Sequence, residues 1–244
     1  MMNLILDAGN TSLKIAFFEN DELIDFKRVD NKNICKAIQD VLKEREQVEK
    51  IICASVSEFD FLELKKEIKN KETLVLSSAT PIPFKNLYST PKTLGVDRIA
   101  LVAAAVKKFP SRNALIIDAG SCVTYDFVNE NAEYLGGGIA PGLQMRYKSL
   151  TDYTANLPLL TPKNIENLIG NNTENAMHMG VFNGLTAEIN GIVVQFSNKY
   201  EQLVVILTGG DANFLSKRLK SSIFVDPNFL LHGLNYILEY SINK

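Results

Sequence analysis

One pattern of apolar and polar residues occurs twice along the chain: an apolar run ends in Asp-Ala-Gly, a short polar turn follows, and a second apolar run leads away. The copies span residues 4–18 and 114–128. Two apolar runs that flank a short Gly-containing turn predict a β-hairpin. The aspartates of the two copies, Asp7 and Asp118, are 111 residues apart in a chain of 244. A repeat at nearly half the chain length predicts two duplicated domains, which would aim both aspartate turns at one cleft.

The rest of the first half alternates between strand-like and helix-like patterns. After the first hairpin we predict a third strand at 23–29, a helix at 34–42, a strand at 51–55, a helix at 61–68 and a strand at 74–76. This mixed order predicts an α/β domain with a partly parallel sheet. Pro81, Pro83 and Pro91 then mark a long loop, which is either a linker or a functional loop.

Two glycine-rich segments distinguish the second half. A strand over residues 134–142 is interrupted by glycines, which indicates either a bulge or a close approach of the backbone to a ligand. The strand at 203–207 ends in Thr-Gly-Gly-Asp-Ala, which suits either a nucleotide-contacting turn or a plain helix entry. The other predicted elements are a helix at 143–150, a loop at 154–172, a helix from its N-cap Thr173 to about Tyr200, a strand at 223–225 and a helix at 228–242.

Composition predicts a compact soluble protein. Hydrophobic residues make up 46% of the chain and charged residues 22%, which are ordinary globular values. The net charge of −2 argues against nucleic acid or an anionic membrane as the main partner. The three cysteines, Cys35, Cys53 and Cys122, lack a metal-ligand spacing and predict reduced thiols in a cytosolic protein. We expect no signal peptide and no membrane span, and a structural or exposed role for His178 and His232.

The first aspartate turn contains residues suited to binding an oligophosphate. Asp7 can hold a hydrated metal ion, while Asn10, Thr11 and Lys14 can donate hydrogen bonds to phosphate oxygens. The glycine spacing matches neither the nucleotide P-loop nor the dinucleotide-binding pattern. An ordinary hairpin without a functional site is therefore the alternative.

A pair of charges, Asp97 and Arg98, opens an apolar helix predicted over residues 99–106. One interpretation is that Asp97 helps to cap the helix and Arg98 is solvated. The other is that Asp97 accepts a proton from a hydroxyl group while Arg98 binds an anionic group.

Taken together, the motifs resemble the ordered signature of the type III pantothenate kinase family. The resemblance covers almost the whole chain. It rests on Asp7-Ala8-Gly9-Asn10-Thr11 with Lys14, Gly95-Val96-Asp97-Arg98, Asp118-Ala119-Gly120, Gly136 to Gly142, Leu157-Pro158, Gly170 to Thr173, and Leu207 to Ala212.

The resemblance implies two ribonuclease-H-like domains of the actin-like ATPase superfamily, with the active-site cleft between them. We place the N-terminal domain at 1–110, with the first phosphate turn and the substrate motif, and the C-terminal domain at 111–244, with the second turn and the dimer contacts. The implied activity is ATP-dependent phosphorylation of pantothenate, the first step of coenzyme A biosynthesis, by a cytoplasmic homodimer. No nucleic acid or membrane partner is implied.

The resemblance also implies roles for individual residues. ATP and Mg²⁺ would contact the first turn, through Asp7, Ala8, Gly9, Asn10, Thr11, Ser12, Leu13 and Lys14. ATP would also contact Ser121 in the second turn. Asp97 would be the general base, and Asp118 would hold a monovalent cation, K⁺ or NH₄⁺. Pantothenate would contact Tyr88, Gly95, Val96, Asp97, Arg98 and Thr173, with Thr173 reaching across a dimer interface.

Two questions stay open at this point. Where the family has Thr-Ala after the second Asp-Ala-Gly, this chain has Ser121-Cys122; serine keeps the hydroxyl, but ATP affinity and cation preference can differ. Arg98 can bind either the pantothenate carboxylate or the transferring phosphate. Two rival functions are a sugar or acetate kinase of the same superfamily and an actin-like nucleotide-driven scaffold.

Overall fold

The structure is a computed structural model that describes residues 2–9, 12–30, 34–55, 68, 71–219 and 222–242. By their internal contacts the residues form two compact units. Unit 1 comprises Met1–Pro110, Ala132–Tyr134 and Phe229–Lys244, and unit 2 comprises Ser111–Asn131 and Leu135–Asn228. The first chain crossing between the units, after Pro110, coincides with the division expected from the sequence.

Unit 1 contains a five-stranded sheet. Its strands are β1 (Met2–Ala8), β2 (Ser12–Glu19), β3 (Glu22–Asp30), β4 (Val48–Ser55) and β5 (Glu72–Val75), in the spatial order β3-β2-β1-β4-β5. The first three strands form an antiparallel meander, and β4 and β5 add on parallel to β1. Helix α1 (Ile34–Glu44) connects β3 to β4 and buries Ile34, Ile38 and Val41. The predicted helix at 61–68 lies outside the described residues except for Ile68.

Two further helices belong to unit 1: α2 (Val96–Lys108) and α7 (Phe229–Ile242). They pack so closely that a Cβ on Gly233 of α7 would come within 1.8 Å of the Ala100 carbonyl oxygen of α2. Two residues further along α7, Asn235 accepts a buried hydrogen bond of 2.8 Å from Asn3 of β1. These contacts explain why α7 groups with the first half of the chain, although its sequence position suggested the second. Unit 1 also has a two-residue strand, β6 (Lys85–Asn86), and a 3₁₀ turn at Pro91–Thr93.

The sheet of unit 2 repeats the strand order of unit 1. Its strands are β7 (Ala114–Ala119), β8 (Cys122–Val128), β9 (Glu133–Pro141), β10 (Val204–Thr208) and β11 (Phe224–Val225), in the order β9-β8-β7-β10-β11. The β7–β8 pair is antiparallel, and β10 and β11 follow in parallel. The first two residues of β9, Glu133 and Tyr134, pair with β6 and belong to unit 1. The same strand order in both sheets confirms two ribonuclease-H-like folds.

The helices of unit 2 are α3 (Leu143–Asp152), α4 (Thr173–His178), α5 (Gly184–Lys199) and α6 (Ala212–Ser216). The single helix predicted from Thr173 to Tyr200 is interrupted by a π-helical segment at Met179–Asn183. The prediction of Thr173 as N-cap is wrong: Asn172 is the N-cap, because its side chain accepts a 2.9 Å hydrogen bond from the Asn175 amide. Residues 154–172 contain no helix or strand, as predicted.

Cysteine and membrane predictions can be compared with the described residues. Cys53 and Cys122 are free thiols, and burial raises the pKa of Cys53 to about 12. The side chain of Cys35 lies outside the described part of the structure. None of the described helices combines the length and hydropathy that crossing a bilayer requires.

Candidate active site

The first aspartate turn places a carboxylate and an ammonium group side by side. Asp7 and Lys14 lie directly opposite each other in the β1–β2 ladder, because the hairpin register pairs the end of one strand with the start of the next. Lys14 Nζ donates a 2.9 Å hydrogen bond to Asp7 Oδ2, and the Asp7 side chain is only 9% exposed. The Gly9 amide closes the turn on the Ser12 carbonyl at 3.1 Å. Two predicted phosphate ligands, Asn10 and Thr11, lie outside the described residues.

The substrate motif predicted from the sequence forms one cluster in unit 1. Asp97 lies in the first turn of α2, and its Oδ1 accepts a 2.8 Å hydrogen bond from the Arg98 amide. A Cβ on Gly95 would come within 2.4 Å of the same Oδ1, so the carboxylate occupies the space that a side chain at position 95 would need. The N-cap residue is Gly95, with no side-chain capping bond. Asp97 is therefore not the N-cap residue, but its bond to the Arg98 amide satisfies a free N–H of the first turn, as the interpretation that Asp97 helps to cap the helix expects.

Arg98 is held against an aromatic ring, so the interpretation of Arg98 as solvated is wrong. It is only 6% exposed, and its guanidinium carbon lies 5.6 Å from the centre of the Tyr88 ring. Tyr88 in turn stacks on Tyr134, with ring centroids 6.0 Å apart and planes at 27°. A guanidinium over an aromatic face is attracted by the ring quadrupole. The stack therefore holds Tyr88 and Arg98 together, and their contact with one substrate stays a prediction.

In unit 2 the second aspartate turn is enclosed by backbone. Asp118 is the last residue but one of β7, and a Cβ on Gly209, in the turn after β10, would come within 2.3 Å of Asp118 Oδ1. Gly209 has φ +93°, a conformation that favours glycine. Two parallel strands that end at the same edge of the sheet bring these turns together. Position 209 therefore needs glycine for both its backbone conformation and the space beside the carboxylate.

A third segment reaches the second turn from the start of α3. The Gly142 amide donates a 3.2 Å hydrogen bond to the carbonyl of the exposed residue Ser121. A Cβ on Gly142 would lie 2.2 Å from the Gly120 carbonyl and 2.4 Å from that of Ser121. The Asp211 amide also bonds the Ala119 carbonyl at 2.9 Å, and burial raises the pKa of the Asp211 carboxyl. Gly142 and Gly209 therefore mark places near Asp118 where the backbone comes close to other atoms. At both positions the neighbouring atoms belong to the protein.

Thr173 lies at a cavity within unit 2. The cavity has a volume of about 670 Å³ and is lined by residues of α3, α4 and the π-helical segment, among them Arg146, Leu150, Thr173 and Met177. Arg146 is fixed there by a 2.7 Å ion pair with Glu188 of α5. We call this the Thr173 cavity. It is a concave, mostly apolar space with a few polar groups, which is the usual form of a small-molecule site.

The predicted site residues therefore form four local groups. The structure joins Asp7 to Lys14, joins Gly95, Asp97, Arg98 and Tyr88, surrounds Asp118 by the turns at Gly120, Ser121 and Gly209, and places Thr173 on its cavity. The first two groups belong to unit 1 and the last two to unit 2.

Sequence reasoning missed Tyr134 and Arg146. Tyr134 supports Tyr88 from β9, and no local pattern links residues 46 positions apart. For the segment that contains Arg146 the sequence predicts only a helix, and nothing local indicates a role for this residue, because its partner Glu188 is 42 residues away.

Comparison with solved structures defines the fold class. A Campylobacter jejuni protein described as a Baf family transcriptional activator is 22% identical, with a TM-score of 0.60 over 99% of this chain and 100% of its own. A glucokinase from an Antarctic psychrotroph is 11% identical, with a TM-score of 0.55 over 98% of this chain and 99% of its own. At these identities the likeness shows the fold alone: two ribonuclease-H-like domains of the sugar kinase and actin-like ATPase class.

Sequence comparison then gives the family. A family model for type III pantothenate kinase matches residues 3–195. A Christiangramia forsetii protein named type III pantothenate kinase is 47% identical over 241 residues, which cover 98% of this chain and 99% of its own. The chain belongs to the type III pantothenate kinase family, which confirms the resemblance found in the sequence.

Proposed function

We propose that the protein transfers the γ-phosphoryl group of ATP to the hydroxyl of pantothenate, giving 4'-phosphopantothenate, the first step of coenzyme A biosynthesis. Membership of a kinase family implies the use of ATP. The observation that carries the proposal is that the family match over residues 3–195 includes both aspartate turns and the Asp97–Arg98 motif. The geometry of these three groups suits the chemistry, because phosphoryl transfer depends mainly on in-line placement and charge neutralisation.

The first turn binds the ATP phosphates in this proposal. Lys14 supplies a positive charge, and the backbone of the turn between β1 and β2 approaches the phosphates together with the side chains of Asn10 and Thr11. Asp7 fits a Mg²⁺ role, since Mg²⁺ in kinases is held by one or two carboxylates, waters and substrate phosphates. Mg²⁺ would supply further neutralisation of the phosphate charge. No group of three or more metal-ligating side chains occurs among the described residues, which agrees with a metal bound largely by the nucleotide.

The second turn binds a monovalent cation, K⁺ or NH₄⁺, through Asp118. Asp118 Oδ1 and the Ala119 carbonyl oxygen both lie within 2.4 Å of the point that a Cβ on Gly209 would occupy, so oxygen donors of the kind that such a cation accepts lie close together. The negative charge of Asp118 would repel the phosphates of a nearby nucleotide. A cation bound at Asp118 would offset that repulsion, and the Ser121 hydroxyl contacts ATP.

Asp97 is the general base and Arg98 the anchor for the pantothenate carboxylate. Asp97 orients the hydroxyl and accepts its proton as the phosphoryl group arrives. Arg98 offers a forked donor that matches a carboxylate. Its position against Tyr88, a second predicted pantothenate contact, favours the acceptor over the transferring phosphate as its ligand. Gly95 and Val96 shape the same surface.

The protein is a cytoplasmic homodimer in this proposal, and Thr173 contacts pantothenate bound mainly by the partner. Support comes from the apolar cavity at Thr173 and the long helical stretch that follows it. Light scattering at micromolar concentration should give twice the mass of 27.1 kDa. A fully active species with the monomer mass would exclude the dimer.

The decisive experiment replaces Asp97 with Asn. Asn keeps the size of Asp but cannot take the proton, so kcat should fall about 10²–10⁴-fold while pantothenate affinity is largely retained. Asp40→Asn, at an exposed position on α1, is the matched control and should leave kcat unchanged. Near-normal turnover of Asp97→Asn would exclude its role as the base. Assays of ATP consumption with acetate and hexoses, and without any acceptor, distinguish pantothenate kinase from the sugar kinase, acetate kinase and scaffold alternatives.

A further inference from the structure

Two helices present one stripe of residues each to the Thr173 cavity. Thr173, Ala176, Met177 and Gly180 follow the spacing i, i+3, i+4, i+7 from α4 into the π-helical segment, and all four line the cavity. This spacing keeps residues on one face of a helix. On the opposite wall, α3 presents its own residues at i, i+3 and i+4, beginning with Arg146. The position of Thr173 in the cavity is therefore set by the rotation of α4 about its axis.

The rotation of α4 about its axis is not fixed by α5, the longer helix that follows it. The segment Met179–Asn183 between α4 and α5 is π-helical, with hydrogen bonds from i to i+5 in place of i to i+4. The extra residue in the turn changes the rotational relation between α4 and α5. Another contact must therefore determine which face α4 turns towards the cavity.

A buried polar contact behind the two stripes meets this need. Tyr147 is the neighbour of Arg146 on α3, and His178 is the neighbour of Met177 on α4. The Tyr147 hydroxyl and His178 Nδ1 are 2.8 Å apart, and their rings meet edge to face with centroids 5.5 Å apart. Tyr147 is 0% exposed and His178 6% exposed. Breaking this hydrogen bond would leave a polar atom in the core without its partner, which opposes rotation of α4.

The two groups of the pair are matched for hydrogen bonding. Burial raises the pKa of the Tyr147 phenol, and a backbone hydrogen bond from Lys163 lowers it. The Tyr147 hydroxyl can donate to His178 Nδ1 or accept from it, since the tautomer of the ring decides which atom is the donor. In both arrangements the hydrogen bond affects the ¹⁵N shifts of the His178 ring, which therefore report whether the pair is intact.

We propose that Tyr147 and His178 are positioning residues that set the rotation of α4 and thereby hold Thr173 in place for the acceptor substrate. The effect of the pair on catalysis rests on the proposed function, in which Thr173 contacts pantothenate. The effect of the pair on the rotation of α4 does not depend on that function. The two can therefore be tested by separate measurements.

The kinetic test uses variants that remove one atom or one ring. Tyr147→Phe should raise KM for pantothenate about three- to tenfold, the range that corresponds to one buried hydrogen bond, with kcat and KM for ATP within about twofold of normal. His178→Leu should behave like Tyr147→Phe. His178→Asn keeps an acceptor near the Nδ1 position and should restore KM to within about twofold. Tyr153→Phe, at an exposed residue next to the end of α3, is the matched control and should change nothing.

A second control separates positioning from general loss of stability. Ile189→Val removes one buried methylene from α5 and should lower the melting temperature without changing KM for pantothenate. If Tyr147→Phe lowers the melting temperature and leaves KM unchanged, as Ile189→Val does, the positioning role is excluded.

The structural test needs no substrate. In Tyr147→Phe, amide hydrogen exchange of residues 173–181 should be faster than in Ile189→Val, and the ¹⁵N shifts of the His178 ring should differ from those of the wild type. Unchanged exchange and unchanged shifts would overturn the proposal. A wild-type protein without pantothenate kinase activity, but with the expected exchange result, would overturn the proposed function and leave the helix-positioning role intact.

Discussion

The two aspartate turns occupy equivalent places in the two sheets but surround their carboxylates differently. Across the first hairpin Asp7 faces Lys14, and the ammonium lies 2.9 Å from the carboxylate. Across the second hairpin the residue opposite Asp118 is Thr124, which carries no charge. Asp118 is also packed against the backbone of Gly209. The two sheets share the strand order and the aspartate, while the residue directly opposite the aspartate is a lysine in the first hairpin and a threonine in the second.

The loops of the two hairpins differ by one residue. The Gly9 amide bonds the Ser12 carbonyl, three residues on, whereas the Gly120 amide bonds the Cys122 carbonyl, two residues on. The longer first loop contains Asn10 and Thr11, the two predicted phosphate donors. The shorter second loop leaves room for Gly142 to close over Gly120 and Ser121. The first turn therefore contains an internal cation, the Lys14 ammonium, whereas the cation proposed for the second turn is external.

The largest effect should come from removing the internal cation. Lys14→Met should lower kcat/KM for ATP about 10²–10³-fold, because one charged donor to the transferring phosphate is lost. The Asp7 charge also loses its partner. Lys27→Met, which breaks an exposed ion pair with Glu44, is the control and should stay close to normal. An activity of Lys14→Met within tenfold of the wild type would show that the first turn does not depend on its own ammonium.

Removing the Asp118 carboxylate from the second turn should have a smaller effect, which should appear in KM for ATP and in the cation dependence of the activity. Asp118→Asn should raise KM for ATP about tenfold, as loss of one ionic interaction of about 1.4 kcal/mol predicts, and should change KM for pantothenate less. The wild type should be more active in K⁺ or NH₄⁺ than in Na⁺, and the variant should lose this difference. Equal wild-type activity in Na⁺ and K⁺ buffers would count against a cation at Asp118.

The enclosure of Asp118 by backbone can be tested through stability. Gly209→Ala should lower the free energy of unfolding by about 2 kcal/mol or more, because a Cβ is strained at positive φ and meets the Asp118 carboxylate. Gly210→Ala is the adjacent control, since a Cβ there has no atom within 4 Å. Urea unfolding monitored by circular dichroism measures both. Equal stability of the two variants would contradict the close approach at position 209.

The sequence predicts those features of the fold and of the site whose interacting residues lie close together along the chain. The hairpins, the succession of strands and helices along the chain and the place of Asp97 and Arg98 at the start of a helix follow from patterns within about ten residues, and the described residues reproduce them. The spatial order of the strands in the two sheets is not predicted, because it depends on pairing between distant segments. The grouping of α7 with the first half depends on Gly233 meeting Ala100, and the contact of Asp118 with Gly209 joins residues 91 positions apart. The π-helical segment at Met179–Asn183 has no local signal either. Local periodicity cannot report contacts of this kind.

The variant with the smallest expected effect tests the comparison most directly, because it gives the second turn a lysine at the place that Lys14 has in the first. Thr124 is half-buried and lies directly opposite Asp118, and side chains at such positions have Cβ atoms about 5 Å apart. Thr124→Lys should place an ammonium beside Asp118, as Lys14 is beside Asp7, and should reduce the advantage of K⁺ over Na⁺ by a few-fold. Thr124→Met is the matched control, because both variants lose the 3.1 Å hydrogen bond from Thr124 to Asp126 and differ only in charge. If Thr124→Lys kept the wild-type cation dependence, an internal ammonium could not replace the external cation, and the difference between the two turns would have to lie in their backbone and not in their charge.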